Sequence, residues 1–393
     1  MGNEKKKVVK IVPTYFEHET RDLKEISVLN SLGCNVIVVA KGDNAVIIEE
    51  SCYILHRLCS RPLMPFVSNL FLNRLFSLYI WVRYVRKLHG ELLSCHDLFC
   101  LCIGWLSTLG LRKKPFLVYD SHEFEYGRNC KRNFVSKLFI KTLERFLCKK
   151  NALNIVVNES IADAVQTLHG LNNRPLVVRN VPLYWNIDVN KCVLRRKKIC
   201  EAYGIPIDSF IIMYHGVIAA GRGIENAIYA VENVENTCLL ILGNGEKSYI
   251  ALLEKMISSL RLEQKVFFHT AVEHSILWEY IGSVDVELSV ILNTCISYYY
   301  ALPNKIFESI QAMIPLIVSD FPEMERVVKM YDIGVCCKSD DVNILVEAIR
   351  LMNKDKVLYS RFKANMQDAK KELCWENEKE ILEGAYRSIL MDI

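Results

Sequence analysis

The sequence predicts an α/β protein made of two successive Rossmann-like domains. Three observations carry this. Short, almost wholly apolar runs recur, as at residues 8–12, 36–40, 210–214 and 238–242, and stretches of helical spacing separate most of them. Such runs have no polar face to offer water, so they suit a parallel sheet covered by helices on both sides. Charge also divides. Residues 1–185 hold 26 Lys/Arg and 16 Asp/Glu, a net of +10, whereas residues 186–393 are net −6, within a total of +4. At about 100–200 residues per domain, a chain of this length holds more than one.

Taken in order, residues 8–12 read as a strand, 21–33 as a helix closed by Gly33, and 36–40 as a second strand. Further strands are expected at 92–95, 116–119, 153–157 and 176–178. The charge-free run 98–111 is too long for a strand and reads as a buried helix. The second half repeats the scheme, with strands at 210–214, 238–242, 266–268, 284–290 and 316–318. Residues 180–198 show no clear period and contain Pro182 and the run Arg195-Arg196-Lys197-Lys198. The boundary is placed there, giving domains 1–185 and 186–374. A closing helix at about 375–393 is expected to pack back on the first domain. The two domains are expected to face each other across a cleft at the carboxyl ends of their strands, where open α/β sheets bind ligands.

Composition excludes several classes. Hydrophobic content of 51% with 24% charged residues indicates substantial cores and not disorder. The near-balance of charge argues against a nucleic-acid binder. The fifteen cysteines form no CxxC pair, and Cys95, Cys100 and Cys102 lack zinc-ligand spacing. Reduced thiols and no bound metal are expected. No secretory core and no run of about 20 apolar residues is present, so a cytoplasmic protein is expected.

Three constellations in the second half carry chemistry. The strand 210–214 leads into His215-Gly216-Val217-Ile218-Ala219-Ala220-Gly221-Arg222-Gly223 and then a helix from about Ile224. A glycine turn before a helix N-terminus can hold a phosphate, and Arg222 can add a bidentate contact. The spacing is neither the Walker A pattern nor GxGxxG, which disfavours nucleotide hydrolysis of that type and ordinary NAD binding. A plain βα turn is the alternative. The second constellation is Pro303-Asn304-Lys305-Ile306-Phe307-Glu308, opening a helix that should run to about Ile314. Asn304, Lys305, Glu308, Gln311 and Ala312 are expected on its open face; Ile306, Ile310, Met313 and Ile314 should pack on the sheet. There Glu308 can accept two ribose hydroxyls, unless it is an ordinary solvated glutamate. The third, Leu242-Gly243-Asn244-Gly245, reads alone as a connecting turn.

In this order, with Pro315-Leu316-Ile317-Val318 following, these motifs resemble the donor domain of the GT-B glycosyltransferases of family 4. Upstream, Arg21 through Gly33 to Val39, His96-Asp97, Tyr119-Asp120-Ser121-His122-Glu123 and Arg179-Asn180-Val181-Pro182 resemble the same family. Trp375-Glu376 and Tyr386 resemble its returning tail. The resemblance covers nearly the whole chain. It implies a GT-B fold and transfer of a sugar from a nucleotide-diphosphate donor to an acceptor hydroxyl, with retention and without a metal. Carried over, Gly216, Arg222, Gly223, Gly243, Asn304, Lys305 and Glu308 bind the donor, with Glu308 on the ribose. Arg222, Lys305 and His122 form the catalytic set, and Arg21, His96, Asp97 and Glu123 lie on the acceptor side. No cofactor is implied; the donor is a UDP- or GDP-sugar substrate. The expected acceptor is a sugar or a lipid-linked sugar in surface polysaccharide or glycolipid synthesis. Two departures stand out. Tyr300 occupies the place of the family's first glutamate, and Val217 and Ile218 stand where it often has a basic residue.

In the first half, His96-Asp97 and Asp120-Ser121-His122-Glu123 follow strands, where a histidine can orient hydroxyls, relay a proton or tie down a loop. Glu17 and Glu19 fill the loop after the first strand, and Arg21 opens the next helix. Residues 65–90 are apolar nearly all round, with Asn69, Asn73, Ser77, Arg83 and Lys87 on one side. Burial within the first domain is the favoured reading, and an anionic membrane interface the other. Two rival functions share the fold: a nucleotide-sugar epimerase, which needs a carboxylate pair for proton transfer, and a non-catalytic partner, consistent with Tyr300.

Overall fold

The computed structural model describes residues 5–17, 20–59, 70–128 and 132–392. It divides into two compact units, Met1–Asn180 with Glu378–Ile393, and Val181–Asn377. The division falls at 180/181, a few residues before the 185/186 expected from the sequence.

The first unit runs β1 (Lys7–Ile11), α1 (Thr20–Ser31), β2 (Asn35–Gly42), β3 (Val46–Glu49), β4 (Ile54–Cys59), α2 (Leu70–Lys87), β5 (Leu92–His96), α3 (Asp97–Ser107), β6 (Phe116–Ser121), α4 (Phe134–Cys148), β7 (Leu153–Val156), α5 (Glu159–His169) and β8 (Leu176–Val177). Its sheet has the order β3-β4-β2-β1-β5-β6-β7-β8, parallel except for β3 against β4. Every strand of the expected set is present. The sequence reading missed β3 and β4. β3 is a largely exposed edge strand, and β4 carries His56 and Arg57, so neither is a clean apolar run. Order reverses between β1 and β5, which places a switch point at the ends of those two strands. Along this sheet α2 packs on α3, α3 on α4 and α4 on α5.

The second unit runs α6 (Val189–Tyr203), β9 (Phe210–His215), α7 (Ile224–Glu232), β10 (Thr237–Leu242), α8 (Lys247–Ser259), β11 (Val266–His269), α9 (His274–Ile281), β12 (Val286–Ser289), α10 (Ile296–Tyr299), α11 (Asn304–Gln311), β13 (Leu316–Ser319), α12 (Pro322–Tyr331), β14 (Gly334–Cys337), α13 (Val342–Lys354) and α14 (Lys356–Glu372). Its parallel sheet has the order β11-β10-β9-β12-β13-β14, reversing between β9 and β12. Strands β9 and β10 are buried along their whole length, and their side chains fill a core on each face of the sheet. The aperiodic boundary expected at 180–198 is corrected in part. Residues 189–203 form α6, capped by Asp188, and the basic run lies on it with Arg195 paired to Glu279 and Arg196 to Asp285. Helix α15 (Trp375–Met391) carries the chain from the second unit back into the first, with the change at 377/378.

Among the described residues no helix is long and apolar enough to cross a membrane. The described cysteines are free thiols, most of them buried.

Candidate active site

The donor-side candidates of the second unit gather where its strand order reverses. β9 ends at His215, and Gly216 turns the chain with φ +118°. The loop closes on Gly223, φ +75°, which is the N-cap of α7. A Cβ at Gly223 would strike the Val290 carbonyl, and one at Gly243 the Gly216 carbonyl. Backbone therefore packs on backbone at both positions, which only glycine permits. The two loops are zipped together: Gly216 N donates to Leu242 O at 3.0 Å and Ile218 N to Asn244 O at 2.9 Å. Gly243 is thus more than a connecting turn. Replacing Gly223 with alanine is expected to cost on the order of 2 kcal/mol or more through forced φ and displaced backbone. A thermal melt checks this: an unchanged midpoint would contradict the close approach.

Next to this loop lies a buried polar set. Glu287, on β12, is fully buried; its Oε1 accepts from His215 N at 3.2 Å and stands 3.0 Å from His215 Nδ1. His215 Nε2 is 2.8 Å from Glu308 Oε2, and His274 Nε2 lies 3.7 Å from Oε1. Burial disfavours a charged imidazole, but the Glu287 and Glu308 carboxylates outweigh it and raise His215 to about 9. Burial likewise opposes the Glu308 charge, and hydrogen bonds from His215 and His274 bring it down to about 2. Lys305 is buried with Nζ 3.4 Å from the centroid of the Tyr214 ring. Burial pulls its pKa down to about 7 against the attraction of Glu287, with the Arg222 charge adding to the fall. Arg222 rests 5.1 Å over Tyr298, and Asn304 is exposed at the first position of α11.

The expected faces of α11 need correction. Lys305, Gln311 and Ala312 are buried, not open, and only Asn304 and Glu308 keep exposed surface. Gln311 is covered because it ties the helix to α14: its Nε2 donates to Lys370 O at 2.8 Å and Leu373 O at 3.1 Å, and its Oε1 accepts from Trp185 N at 3.0 Å. The helix stops at Gln311, and Met313 follows with φ +63°, so Met313 does not continue the sheet-facing stripe. His215 and Glu287 carry no role in the sequence reading. The available signal was Glu287 itself, a lone charge in the buried strand Val286-Glu287-Leu288-Ser289.

The first unit gathers its own set at the β1/β5 reversal. Lys10 Nζ pairs with Asp22 at 3.0 Å and with Glu25, and approaches His96 Nε2 at 2.5 Å. His96 Nδ1 is 2.9 Å from His122 Nε2 and 3.1 Å from Asp22. Arg21 forks onto Asp120 at 2.8 and 2.9 Å and donates to Val178 O. Tyr386, on the returning helix, donates its hydroxyl to Glu25. Two of the expected acceptor-side groups are therefore enclosed. Arg21 and His96 are buried and taken up by internal partners, so neither offers a free ligand contact. Asp97 opens α3 with φ +66° and lies 3.9 Å from Arg128; Glu123 is solvated and pairs with Arg128 at 3.1 Å. Of the network formed with Lys10, Arg21, Asp22, Glu25, His96 and Asp120, only His122 reaches solvent, its side chain 32% exposed and 3.6 Å from Asp120. Burial opposes its protonation, but Asp120 raises its pKa on balance. Ligand atoms of His96, Asp120 and His122 converge within 4.8 Å, as do those of Asp22, Glu25 and His96. Lys10 and Arg21 already supply fixed positive charge there, which disfavours a further cation. Glu19 and residues 65–69 lie outside the described residues.

Two Rossmann-like units in succession, each with polar side chains collected where its strand order reverses, define the GT-B class of fold. Comparison with known proteins agrees. Residues 26–180 match the family described as Glycosyltransferase Family 4, and residues 195–369 match Glycosyl transferases group 1. The chain belongs to the GT-B glycosyltransferases of the family 4 type. Among curated proteins none matches its sequence significantly. Solved structures do match in fold. Sucrose-phosphate synthase (tll1590) from Thermosynechococcus elongatus aligns at 16% identity over 99% of this chain and 100% of that one, with a TM-score of 0.79. Anabaena Alr3699/HepE in complex with UDP aligns at 13% identity over 99% and 100%, with a TM-score of 0.72. WaaG, a glycosyltransferase involved in lipopolysaccharide biosynthesis, aligns at 15% identity over 95% and 99%, with a TM-score of 0.65.

Proposed function

We propose that the protein moves a sugar from a UDP- or GDP-sugar to an acceptor hydroxyl, with retention and without a metal ion. One observation carries the reading. Among the described residues Lys305 has no carboxylate within 4.0 Å, although it is buried and Arg222 acts on it electrostatically. A buried ammonium without a counter-ion is costly, and a bound diphosphate would offset that cost. The glycine loop and the N-terminus of α7 stand beside it, where backbone N–H groups favour an anion. HepE has been solved with UDP and with UDP-glucose, which supports a nucleotide-sugar partner.

The chemistry follows from charge. As the bond to the diphosphate loosens, the sugar gains oxocarbenium character and the leaving oxygens gather negative charge. Arg222, Lys305 and the α7 N-terminus would stabilise that charge more in the transition state than in the ground state. The leaving oxygen takes the acceptor's proton. Glu308, fixed by His215 through Oε2, turns Oε1 to the ribose, whose hydroxyls would meet it beside His274, 3.7 Å away. His122, the one solvent-reaching member of its network, orients a hydroxyl. The acceptor is a sugar or lipid-linked sugar of surface polysaccharide or glycolipid synthesis, docking on the basic first unit. The epimerase alternative is disfavoured because Glu287 and Glu308 are both committed to His215.

Calorimetric titration with UDP and GDP tests the donor site. Glu308→Ala is expected to weaken nucleotide binding by roughly 10–150-fold, the range for hydrogen bonds to a charged group. Unchanged affinity would sink the assignment. Donor turnover with and without a panel of acceptors then separates transfer, epimerisation and an inactive partner.

A further inference from the structure

Helix α4 is apolar on its outer side as well as on its inner one, where Ile140, Leu143 and Leu147 lie. Its outward stripe is Phe134, Val135, Leu138, Phe139, Thr142 and Phe146, which fall within one face at 100° per residue. Phe134 is 78% and Phe139 66% exposed. The one hydroxyl on the stripe is turned inward, since Thr142 Oγ1 donates to Leu138 O at 2.8 Å. The side facing the sheet holds Leu147, Cys148 and Glu144, and Glu144 is buried between Tyr119 at 3.0 Å and His169 at 3.1 Å. A helix that points large apolar side chains at water and an acid at the core needs an apolar partner outside.

Charge indicates which partner. Glu144 is the only acid of α4, and it is buried. Every other charged side chain on the helix and directly after it is cationic: Lys137, Lys141 and Arg145 along one flank of the stripe, Lys149 and Lys150 at its end. Lys150 lies 5.8 Å over the Phe146 ring, and Trp105 of α3 meets the same ring edge-on at 5.3 Å. The layer continues outward in kind, for α4 packs on α3 and α3 on α2. On α2, Leu72, Leu75 and Tyr79 are exposed beside Arg74 and Arg83, while Trp81 and Val85 turn inward. The residues of this unit carry 28 Lys/Arg against 20 Asp/Glu. An apolar aromatic stripe whose exposed charged neighbours on its own helix are all cationic matches the interface of an anionic bilayer, where acyl chains take the rings and headgroup phosphates the ammonium groups.

We infer that the outer face of α4 is a docking surface that inserts Phe134, Leu138, Phe139 and Phe146 into an anionic membrane interface. Of the two readings of 65–90, α2 now serves as the margin of this surface and α4 as its centre. The inference does not depend on the donor-site reading, and its test uses no turnover.

The test is sedimentation of the full chain with large vesicles of phosphatidylcholine alone or with added phosphatidylglycerol. Wild type is expected to partition onto the anionic vesicles at least roughly tenfold better than onto neutral ones. Phe134→Glu with Phe139→Glu is expected to reduce that partition at least roughly tenfold with an unchanged melting curve, since both positions are exposed. Val357→Glu, at an equally exposed apolar position on α14, should bind as wild type. Lys137→Gln with Lys141→Gln should narrow the difference between the two lipids. Equal binding of wild type and the double glutamate variant would overturn the proposal. So would a wild type that ignores vesicles but changes from dimer to monomer on the glutamate substitutions, because the stripe would then cover a second copy.

Discussion

Lys10→Met is expected to destabilise the first unit by about 3–5 kcal/mol, the cost of leaving buried charges without a partner. Lys10 is fully buried in the middle of its sheet and touches Asp22, Glu25 and His96. Burial pushes the ammonium toward neutrality, yet the Glu25 and Asp22 carboxylates hold its pKa above the usual value. Removing the amine leaves those two carboxylates facing each other beside Asp120. For a unit of this size a melting midpoint lower by roughly 6–20 °C follows. The surface pair Lys329–Glu325 serves as the control, and Lys329→Met should leave the midpoint where it was. Equal midpoints for the two variants would show that the network contributes nothing.

The same charges set a pH dependence. Three carboxylates, Asp22, Glu25 and Asp120, face two fixed cations, Lys10 and Arg21. One proton on the His96–His122 pair closes the balance, and the raised pKa of His122 places that proton there. Because the folded value lies above the unfolded one, this stability is complete below about pH 6.5, the ordinary histidine value, and fades as pH rises through the folded value. Unfolding in denaturant at several pH values should show that fall in wild type and a smaller one in His122→Gln.

Much of the fold was legible because burial on both faces makes a parallel strand nearly all apolar. β9 and β10 are such runs. β3 was not legible, since a four-residue edge strand lies mostly in water and needs no pattern. The site was legible where chemistry forces an uncommon residue, as at Gly216, Gly223 and Gly243. It was not legible where the decisive contact is distant in sequence. Arg21 stands 99 positions from Asp120, and Glu25 stands 361 from Tyr386. No local spacing reports such pairs, and Arg21 therefore read as a ligand contact when it is an internal clamp. Lys10 and Glu287 show what a closer reading can use, for a single charge inside an apolar strand must have a buried partner somewhere.

Lys305→Met is expected to weaken nucleotide-diphosphate binding by roughly 10–150-fold, the range for hydrogen bonds to a charged group. The free protein holds this lysine at about 7, because burial against Tyr214 outweighs the attraction of Glu287. A bound diphosphate favours the ammonium and raises that value, so binding takes up a proton above about pH 7. Wild-type affinity for UDP should then be level below about pH 7 and fall by up to about tenfold per pH unit above it. Lys305→Met should bind weakly with no such slope. Lys305→Arg should keep the charge and lose the slope, since a guanidinium stays protonated throughout. Titration with UDP, UMP and uridine from about pH 6 to about pH 9 reads all of this, because only the diphosphate should respond strongly to the lysine's charge. A wild-type affinity flat across that range would separate Lys305 from the phosphates. In that case its burial beside Arg222 would need a different anion to explain it.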